Sequence, residues 1–436
     1  MVVIIVFGAT GDLMKRKLIP AFAQLQKKGT FSGNIIAVGR RDFDNEQYKT
    51  FLLDSMPEHK DFILKLPIHY CKADISHPES LQALIPLLKK FEQGSSEGRV
   101  FYLATSYEFF SGILNALENL GLSKQHNAWN RIVFEKPFGK DLQSFLSLEE
   151  DIHRVFKEED IFRIDHYLAK ETVQNLTALR FANPFMEQIF SHDVIERIEV
   201  IVDEDLGVEN RLGYYHEVGA VKDMVQNHLL QVLSLLLIDA PSSIHSQALH
   251  LEKVKALESL SWLPPMEQLL GQYASYQEEV KAAGLIPGQT ETFARLLLTS
   301  SLERWKGTTF LLRTGKRLPT KYGQIHLYFK SSRYFSQAEK NSLIIDIYPK
   351  QDIILVMNHW HHGSFEPIEF LFSHEKQFGP NTSDEYATLL ENILQSDHAL
   401  FPTREELEVS WKLIEDLESI RKDIPFVLYP DKTLPV

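Results

Sequence analysis

The chain has 436 residues, of which 44% are hydrophobic and 24% charged, and its formal net charge is −13 at pH 7. This length exceeds what one hydrophobic core usually spans, so two domains are expected. The negative charge argues against non-specific nucleic-acid binding, which needs a basic face. Cys71 is the only cysteine, which excludes an intrachain disulfide and a cysteine metal cluster, and we predict no metal site.

The N-terminal apolar run, MVVIIVFGATGDL, has the features of neither a signal peptide nor a membrane span. It lacks a basic n-region and a small-residue cleavage site. It is also far too short to cross a bilayer, so no membrane association is expected. We therefore expect a soluble, cytoplasmic protein, and the single cysteine fits a reducing compartment.

The first part of the chain alternates short apolar runs with helical patterns. The strand candidates are VVIIVF, NIIAVGR, RVFYLAT and RIVFEKP, and the helical patterns include KLIPAFAQLQKK and LQALIPLLKKFE. Strands that alternate with helices predict βαβ units and a parallel sheet.

The beginning of this region, VVIIVFGATGDLMKRKL, predicts a strand, a glycine turn and a helix. Gly8 and Gly11 have the spacing of the second and third glycines of the G-x-G-x-x-G dinucleotide fingerprint, while Val6 takes the first position. A glycine there lets the backbone approach a pyrophosphate, and the helix N-terminus supplies amide donors. The alternative is a tight strand-to-helix turn without a ligand. We expect an α/β domain of the Rossmann type over residues 1–164.

The end of the second strand bears on the choice of cofactor. A free ribose 2′-hydroxyl usually meets an acid there, whereas a 2′-phosphate favours arginine. Arg40 and Arg41 follow this strand, and Asp42 comes after them. A solvated charged loop is the alternative. Together with the glycine turn, the arginine pair favours NADP over NAD.

After about residue 180 the pattern changes to strand candidates that follow one another without long helices. They are IERIEVIVDE, TFARLLLTSSL, TFLLRTG, QIHLYFK, LIIDIYP and FEPIEFLFS. Helices such as DMVQNHLLQVLSLLLI would back these strands, so we expect an α+β domain with a large, mostly antiparallel sheet over residues 165–436. The junction between the two domains is a common location for a ligand site.

At this junction the stretch RIDHYLAKETVQNL concentrates polar side chains. On a helix, His166 and Lys170 would be i,i+4 neighbours, and Tyr167 and Lys170 would be i,i+3 neighbours. An imidazole, a phenol and an ammonium on one face near a helix start would cradle a phosphate. Asp165 should then point elsewhere, for example into a hydrogen bond to a catalytic histidine. The alternative makes Asp165 a helix N-cap and the rest an ordinary amphipathic turn.

His228 lies in a strongly apolar helical pattern. It can act as a general base if an acid fixes its tautomer, or it can be a satisfied core residue. Asp223 is a poor orienting partner on an ideal helix, but it could contact another hydroxyl of a substrate. Lys136 follows the strand RIVF, and Lys316 and Lys321 lie on the loop RTGKRLPTKY. A cis bond before Pro137 would aim Lys136 into a cleft, although most such bonds are trans. Lys316 and Lys321 would close over a phosphate or lie in a solvated basic loop.

The motifs GATGDL, EKPFG, RIDHYLAKE and GAVKDMVQNHLLQ, in this order and spacing, resemble the glucose-6-phosphate dehydrogenase family. TETFARL, FLLRTGK and LFPTREELEVSW extend the resemblance over essentially the whole chain. The resemblance implies oxidation of β-D-glucose 6-phosphate at C1 to 6-phospho-D-glucono-1,5-lactone with reduction of NADP, the first step of the oxidative pentose phosphate pathway. It also implies a homodimer or homotetramer that associates through the sheet of the second domain.

The resemblance further implies a role for each matching residue. His228 would remove the proton of the C1 hydroxyl, and Asp165 would orient its imidazole. Substrate contacts would come from His166, Tyr167, Lys170, Lys136, Glu204, Asp223, Lys316 and Lys321. Cofactor contacts would come from Gly8, Thr10, Gly11, Asp12, Leu13, Arg40 and Lys136.

The chain departs from the family pattern at several positions. Ala169 replaces the glycine before the phosphate-binding lysine, and Ser106 and Tyr107 replace paired prolines. Asp346 replaces the arginine that holds a second, structural NADP in animal members, so that site is not expected. Two other functions remain possible interpretations. One is a sugar oxidoreductase that needs no phosphate cradle, and the other is a non-catalytic sugar-phosphate or nucleotide sensor.

Overall fold

The computed structural model describes residues 2–92, 98–124, 129–243, 245–379 and 384–435. The chain divides into two compact units. We call residues 1–169 and 383–404 the first unit, and residues 170–382 and 405–436 the second unit. The expected domains divide after residue 164, and they place the segment 383–404 in the second domain rather than with the first unit. Among the described residues, no helix has both the length and the apolar character needed to cross a membrane.

The first unit contains a six-stranded parallel sheet with the strand order β3-β2-β1-β4-β5-β6. Its strands are β1 (Val2–Phe7), β2 (Gly33–Gly39), β3 (Ile68–Lys72), β4 (Gly98–Leu103), β5 (Trp129–Phe134) and β6 (Ile161–Arg163). Every residue of β1 is buried, as expected for a central strand covered by helices on both faces. The strand order reverses between β1 and β4, and ligands of such sheets bind outside the carboxyl ends of the strands at this point. The expected Rossmann-type architecture is confirmed.

The described residues of the first unit include seven α-helices. They are α1 (Ile19–Lys28), α2 (Asn45–Ser55), α3 (Lys60–Lys65), α4 (Leu84–Phe91), α5 (Phe110–Asn119), α6 (Leu142–Val155) and α14 (Glu385–Gln395). The last of these explains why the segment 383–404 belongs to this unit. Leu389, Leu390 and Ile393 of α14 lie in the same buried cluster as Phe22 and Leu25 of α1. Arg131 also donates a hydrogen bond to the Leu394 carbonyl oxygen at 2.9 Å.

The second unit is organised by a ten-stranded sheet in which β15-β14-β13-β12-β7-β11-β10-β9-β16 are successive neighbours and β8 pairs with β10. Its strands are β7 (Ile195–Asp203), β8 (Leu260–Trp262), β9 (Leu269–Tyr273), β10 (Phe293–Ser300), β11 (Thr309–Gly315), β12 (Tyr322–Phe329), β13 (Ser342–Tyr348), β14 (Ile353–His361), β15 (Ser364–Phe372) and β16 (Phe426–Tyr429). Among the described strands of this second sheet, only the pairs β7 with β11 and β9 with β16 are parallel. A large, mostly antiparallel sheet is therefore confirmed.

The helices of the second unit are α7 (Glu171–Phe181), α8 (Pro184–Ile189), α9 (Leu212–Ala220), α10 (Leu230–Leu237), α11 (Ser246–Glu258), α12 (Tyr276–Ala282), α13 (His374–Phe378) and α15 (Arg404–Ile420). Every residue of α10 is buried, so this helix forms the centre of the layer behind the sheet. A π-helical stretch, Val221–Leu229, joins α9 to α10. This stretch carries His228, and its geometry is described below.

Candidate active site

The glycine turn after β1 has no room for a side chain at Gly8. Gly8 has a φ of 80°, and a Cβ there would lie 2.3 Å from the carbonyl oxygen of Ala104. Gly11 donates its N–H to the Gly8 carbonyl oxygen at 2.9 Å, which closes the turn. A π-helical turn, Met14–Leu18, then continues into α1. The turn thus lies at the carboxyl end of β1, beside the point where the strand order reverses, where a dinucleotide pyrophosphate would fit.

The other three cofactor residues predicted for this turn have different surroundings. Thr10 packs near the end of β2, since a Cβ on Gly39 would lie 3.2 Å from its Cγ2. Leu13 packs on the hydrophobic core of the unit. The Asp12 side chain is 71% exposed, and both the Lys15 ammonium and the Arg16 guanidinium lie 3.6 Å from its carboxylate. Only Thr10 and Leu13 are therefore held in place by packing.

The two arginines at the end of β2 are held differently. The Arg41 guanidinium lies 4.9 Å from the ring centroid of Phe51. The backbone carbonyl oxygen of Arg41 accepts a hydrogen bond from the Tyr70 hydroxyl at 2.9 Å. Arg40 is exposed. Asp42 pairs with Lys72, the last residue of β3, at 2.9 Å, so its charge is balanced by a lysine of the neighbouring strand. An exposed Arg40 beside a neutralised acid leaves positive charge available for a phosphate.

The strand β5 leads into Glu135, which the sequence analysis did not single out, and then into Lys136. The Tyr102 hydroxyl donates a hydrogen bond to Glu135 Oε1 at 2.6 Å, and the Tyr386 hydroxyl donates to Oε2 at 3.5 Å. Burial raises the pKa of Glu135 to about 7, although both phenols and Lys136 act to lower it. The bond between Lys136 and Pro137 is cis. Glu135 therefore ties the chain immediately before Lys136 to β4 and α14.

The stretch after β6 is a turn rather than the predicted helix start. Asp165 is 2% exposed, and its Oδ1 accepts a hydrogen bond from the Tyr167 N–H at 2.8 Å. This local bond offers the backbone an alternative to helix, and α7 begins only at Glu171 with Lys170 as its N-cap. The predicted helical spacing of His166, Tyr167 and Lys170 is therefore wrong, and so is the alternative in which Asp165 caps the helix.

Within the turn, the imidazole of His166 and the ring of Tyr167 are in contact, with centroids 4.9 Å apart. Tyr167 is buried. In the second unit, the Lys170 ammonium lies 5.3 Å from the ring centroid of Tyr348. Each of the three predicted phosphate ligands thus has an aromatic neighbour.

In the second unit, the segment that carries His228 begins with a break in α9. Gly219 has a φ of 66° and a ψ of −179°, a conformation essentially restricted to glycine. The π-helical stretch follows at once, and His228 on it is 1% exposed. The His228 N–H donates to Asn227 Oδ1 at 2.7 Å. Because π-helical segments are rare and frequent at functional sites, this irregularity favours a functional histidine over a core residue.

Glu291 holds the start of this π-helical stretch. It lies in the TETFARL motif, but the sequence analysis assigned it no role. Its Oε1 accepts a hydrogen bond from the Val221 N–H at 3.1 Å, and its backbone carbonyl oxygen accepts from Ala220 N at 2.9 Å. Its other carboxylate oxygen pairs with Arg421. A Cβ on Gly219 would lie 2.3 Å from the Glu291 carboxylate, so glycine is needed for this contact as well as for the backbone. In the sequence, the sign of this contact is Gly219, the glycine of GAVKD.

Three further predicted substrate residues lie near one another in the second unit. Glu204 and Lys316 form an ion pair, and the Lys316 ammonium lies 5.2 Å from the ring centroid of Tyr215. Burial raises the pKa of Tyr215 well above its usual value, and the negative charges of Asp223 and Glu291 add to this. Asp223 is 3% exposed. The structure therefore brings Glu204, Lys316 and Asp223 around one phenol.

Lys321 does not share these surroundings. It is exposed in the loop between β11 and β12. The loop also contains Leu318, which is fully buried, so the backbone is anchored while the lysine extends into solvent. Its assignment to the substrate rests on the sequence alone.

The comparisons with known proteins agree with one another over almost the whole chain. Residues 5–175 match the family model described as glucose-6-phosphate dehydrogenase, NAD binding domain. Residues 177–434 match the model for the C-terminal domain of the same enzyme.

Named relatives and a solved structure carry the name of the same enzyme. The glucose-6-phosphate 1-dehydrogenase of Rhizobium meliloti is 35% identical over 95% of this chain and 89% of its own length. That of Bacillus subtilis is 34% identical over 95% of this chain and 90% of its own. A solved glucose-6-phosphate dehydrogenase in complex with its substrate glucose-6-phosphate superposes with a TM-score of 0.90 at 30% identity, covering 100% of this chain and 95% of that one. This chain therefore belongs to the glucose-6-phosphate dehydrogenase family.

Proposed function

We propose that this protein oxidises β-D-glucose 6-phosphate at C1 and reduces NADP, giving 6-phospho-D-glucono-1,5-lactone and NADPH. The observation that carries the proposal is the buried His228 on a π-helical stretch, in a unit that also pairs Glu204 with Lys316. A sensor would need neither a buried imidazole nor such an irregular helix. A relative of known structure was solved with glucose 6-phosphate, which supports this substrate.

His228 acts in this proposal as the general base that takes the proton of the C1 hydroxyl. A neutral imidazole can accept this proton, and proton removal by a positioned group typically contributes ~10²–10⁴-fold. Asp165 would orient the imidazole and balance the charge that develops on it. Bound NADP supplies the hydride acceptor for C1. Glu204 and Asp223 would hold sugar hydroxyls, which fixes the orientation of C1.

The 6-phosphate is the substrate group that His166, Tyr167 and Lys170 would bind. Lys136 would lie between substrate and cofactor, and Lys316 would lie near the sugar. Ammonium groups and an imidazole donate charge-assisted hydrogen bonds to a phosphate dianion, and a phenol adds a neutral donor. Residues 166–169 form a turn rather than a helix, so the phosphate contacts proposed here do not depend on a helix that starts at His166.

We further propose that NADP is preferred over NAD. Gly8 and Gly11 form a turn that a pyrophosphate can approach, and exposed Arg40 is available for a 2′-phosphate. Asp42 does not oppose this charge, because it pairs with Lys72. An acid directed at the ribose 2′-hydroxyl would instead favour NAD.

Assembly into a homodimer or homotetramer through the sheet of the second unit is also proposed. The hairpin formed by β14 and β15 exposes large apolar side chains, among them Trp360 at 59%, Phe370 at 55% and Leu371 at 51%. Apolar surface of this kind on a sheet edge usually marks an interaction site. Light scattering coupled to size exclusion should give a mass of two or four chains.

A spectrophotometric assay at 340 nm tests the proposed activity. Purified protein should reduce NADP with glucose 6-phosphate and be far less active with free glucose, which lacks the dianion. Equal activity on both sugars would favour a sugar oxidoreductase without a phosphate site. No turnover with either sugar, from protein that is folded by circular dichroism, would favour a non-catalytic sensor.

A further inference from the structure

We propose that Tyr215 is a further substrate contact, and that its hydroxyl donates a hydrogen bond to a sugar hydroxyl held by Glu204 and Asp223. The inference rests on the proposed function and adds a residue that the sequence analysis did not single out. Tyr215 lies on α9 in the second unit, before the break at Gly219.

The ring of Tyr215 is fixed by packing. The residue is 3% exposed and belongs to the buried cluster that also contains Leu212 and Tyr429. The Lys316 ammonium lies 5.2 Å from the ring centroid, which is the distance of a cation–π contact. A tyrosine held in this way presents its hydroxyl at one place, so a ligand that meets it does not have to order a mobile side chain.

The hydroxyl of Tyr215 differs from those of other tyrosines in the same cluster. The Tyr273 hydroxyl donates to Glu279 Oε2 at 2.6 Å, and the Tyr429 hydroxyl donates to the Lys316 carbonyl oxygen at 2.7 Å. No residue in the described part of the chain forms a hydrogen bond with the Tyr215 hydroxyl, and its oxygen is not closed off from solvent. Because buried tyrosine hydroxyls usually have a partner, this one is available to a ligand.

The surroundings of this hydroxyl make it a hydrogen-bond donor. Burial raises the pKa of Tyr215 well above its usual value, and the negative charges of Asp223, Glu291 and Glu204 add to this rise. The phenol therefore stays protonated at neutral pH and offers one O–H.

The hydrogen-bonding needs of a sugar hydroxyl explain the use of a phenol here. Ionised carboxylates only accept hydrogen bonds, whereas a hydroxyl brings one donor and two acceptor lone pairs. A sugar hydroxyl that donates to Asp223 or Glu204 therefore still needs a donor for its own oxygen. Lys316 is one donor at this place, but it already pairs with Glu204. Tyr215 adds a donor that no described residue uses, so both capacities of the sugar hydroxyl can be met.

A purely structural Tyr215 is the alternative. If the ring served packing alone, phenylalanine would fill the same space without an unpaired hydroxyl. Tyr215→Phe removes the oxygen and keeps both the ring and its contact with Lys316. This substitution therefore separates a substrate contact from a packing role.

Initial rates of NADP reduction and thermal midpoints of Tyr215→Phe test the inference. The variant should lose about 2- to 12-fold in kcat/KM for glucose 6-phosphate, the range for one net hydrogen bond. The KM for NADP should stay unchanged, and the thermal midpoint should stay equal or rise, because the free protein loses no hydrogen bond.

The matched control is Tyr276→Phe. Tyr276 is fully buried in the same cluster, and its hydroxyl lies 3.0 Å from His216 Nδ1. Loss of this hydrogen bond should lower the thermal midpoint and leave kcat/KM unchanged. The two variants should therefore show opposite effects on stability and on activity.

Deoxy analogues identify the sugar hydroxyl. The natural protein and Tyr215→Phe are compared on 2-deoxy-, 3-deoxy- and 4-deoxyglucose 6-phosphate, by kcat/KM or, where turnover is too slow, by the inhibition constant. On one analogue the difference between the two proteins should vanish, because the hydroxyl that Tyr215 meets is missing.

Equal kcat/KM of Tyr215→Phe and the natural protein on glucose 6-phosphate would overturn this inference and leave the proposed function intact. A loss of the same size on glucose 6-phosphate and on all three analogues would also overturn it, since that result marks a structural effect. Absence of turnover by the folded natural protein would refute the proposed function itself, and the inference with it.

Discussion

Replacing Gly219 by alanine should disrupt the segment that carries His228. The new Cβ would lie 2.3 Å from the Glu291 carboxylate and would occupy a backbone conformation with a φ of 66°. Strain of this kind costs about 1–3 kcal/mol, and loss of the Glu291 hydrogen bond to Val221 N–H costs a further 0.5–2 kcal/mol, by analogy with helix caps. A total near 3 kcal/mol should lower the thermal midpoint by about 6–12 °C.

The same change should reduce kcat, because His228 lies on the π-helical stretch that Glu291 holds. Differential scanning fluorimetry and initial rates of NADP reduction would measure both effects. Gly213→Ala is the matched control, since it lies on the same helix and its Cβ would meet nothing within 4 Å. Alanine there should leave stability equal or raise it by up to about 1 kcal/mol. If Gly219→Ala behaves like Gly213→Ala, the proposed role of the Gly219–Glu291 contact is refuted.

Three further outcomes are expected. Arg40→Ala should raise KM for NADP by about one to two decades, the worth of a charge-assisted contact, and leave KM for NAD unchanged; equal losses would contradict the 2′-phosphate role. Lys170→Ala should penalise glucose 6-phosphate far more than glucose, and similar losses on both sugars would exclude a phosphate contact. Burial raises the pKa of Glu135 to about 7, so protonation of this side chain stabilises the folded protein. This stabilisation is fully present below about pH 4.5 and is lost as the pH rises from there through 7. Glu135→Gln should therefore flatten the decline of the thermal midpoint over that range, and an unchanged pH profile would show that Glu135 does not titrate there.

Four strands of the first unit's sheet were predictable from the sequence because short apolar runs alternate there with helical patterns. The other two were not, since β3 (IHYCK) contains polar residues and β6 has three residues. The order of the strands in this sheet also follows the usual Rossmann arrangement. In the second unit, β14 was missed. Its side chains are half-buried or exposed on both faces, so the strand has no alternation of apolar and polar residues to detect.

Candidate site residues could be named from the sequence where they lie in motifs. They could not be named where their position depends on tertiary contacts. His228 lies in the motif GAVKDMVQNHLLQ and Lys136 in EKPFG, and both motifs belong to the family resemblance. The spacing of the polar residues after Asp165 predicts a helix. The structure has a turn there instead, in which Asp165 Oδ1 accepts a hydrogen bond from the Tyr167 N–H. Glu291 lies in the TETFARL motif, but its contact with Gly219 could not be predicted, because the two residues lie far apart along the chain.

The most direct test of the proposed mechanism is kcat of His228→Asn with glucose 6-phosphate and NADP. Asparagine keeps a polar side chain of similar size, so a structural histidine would cost stability but leave most activity in the folded fraction. A general base predicts a fall of at least ~10²-fold in kcat, with substrate still bound. Adding Asp165→Asn should then cost little more, since the orienting carboxylate would have no imidazole left to orient. A His228→Asn enzyme that is folded by circular dichroism and keeps near-full kcat would contradict the mechanism.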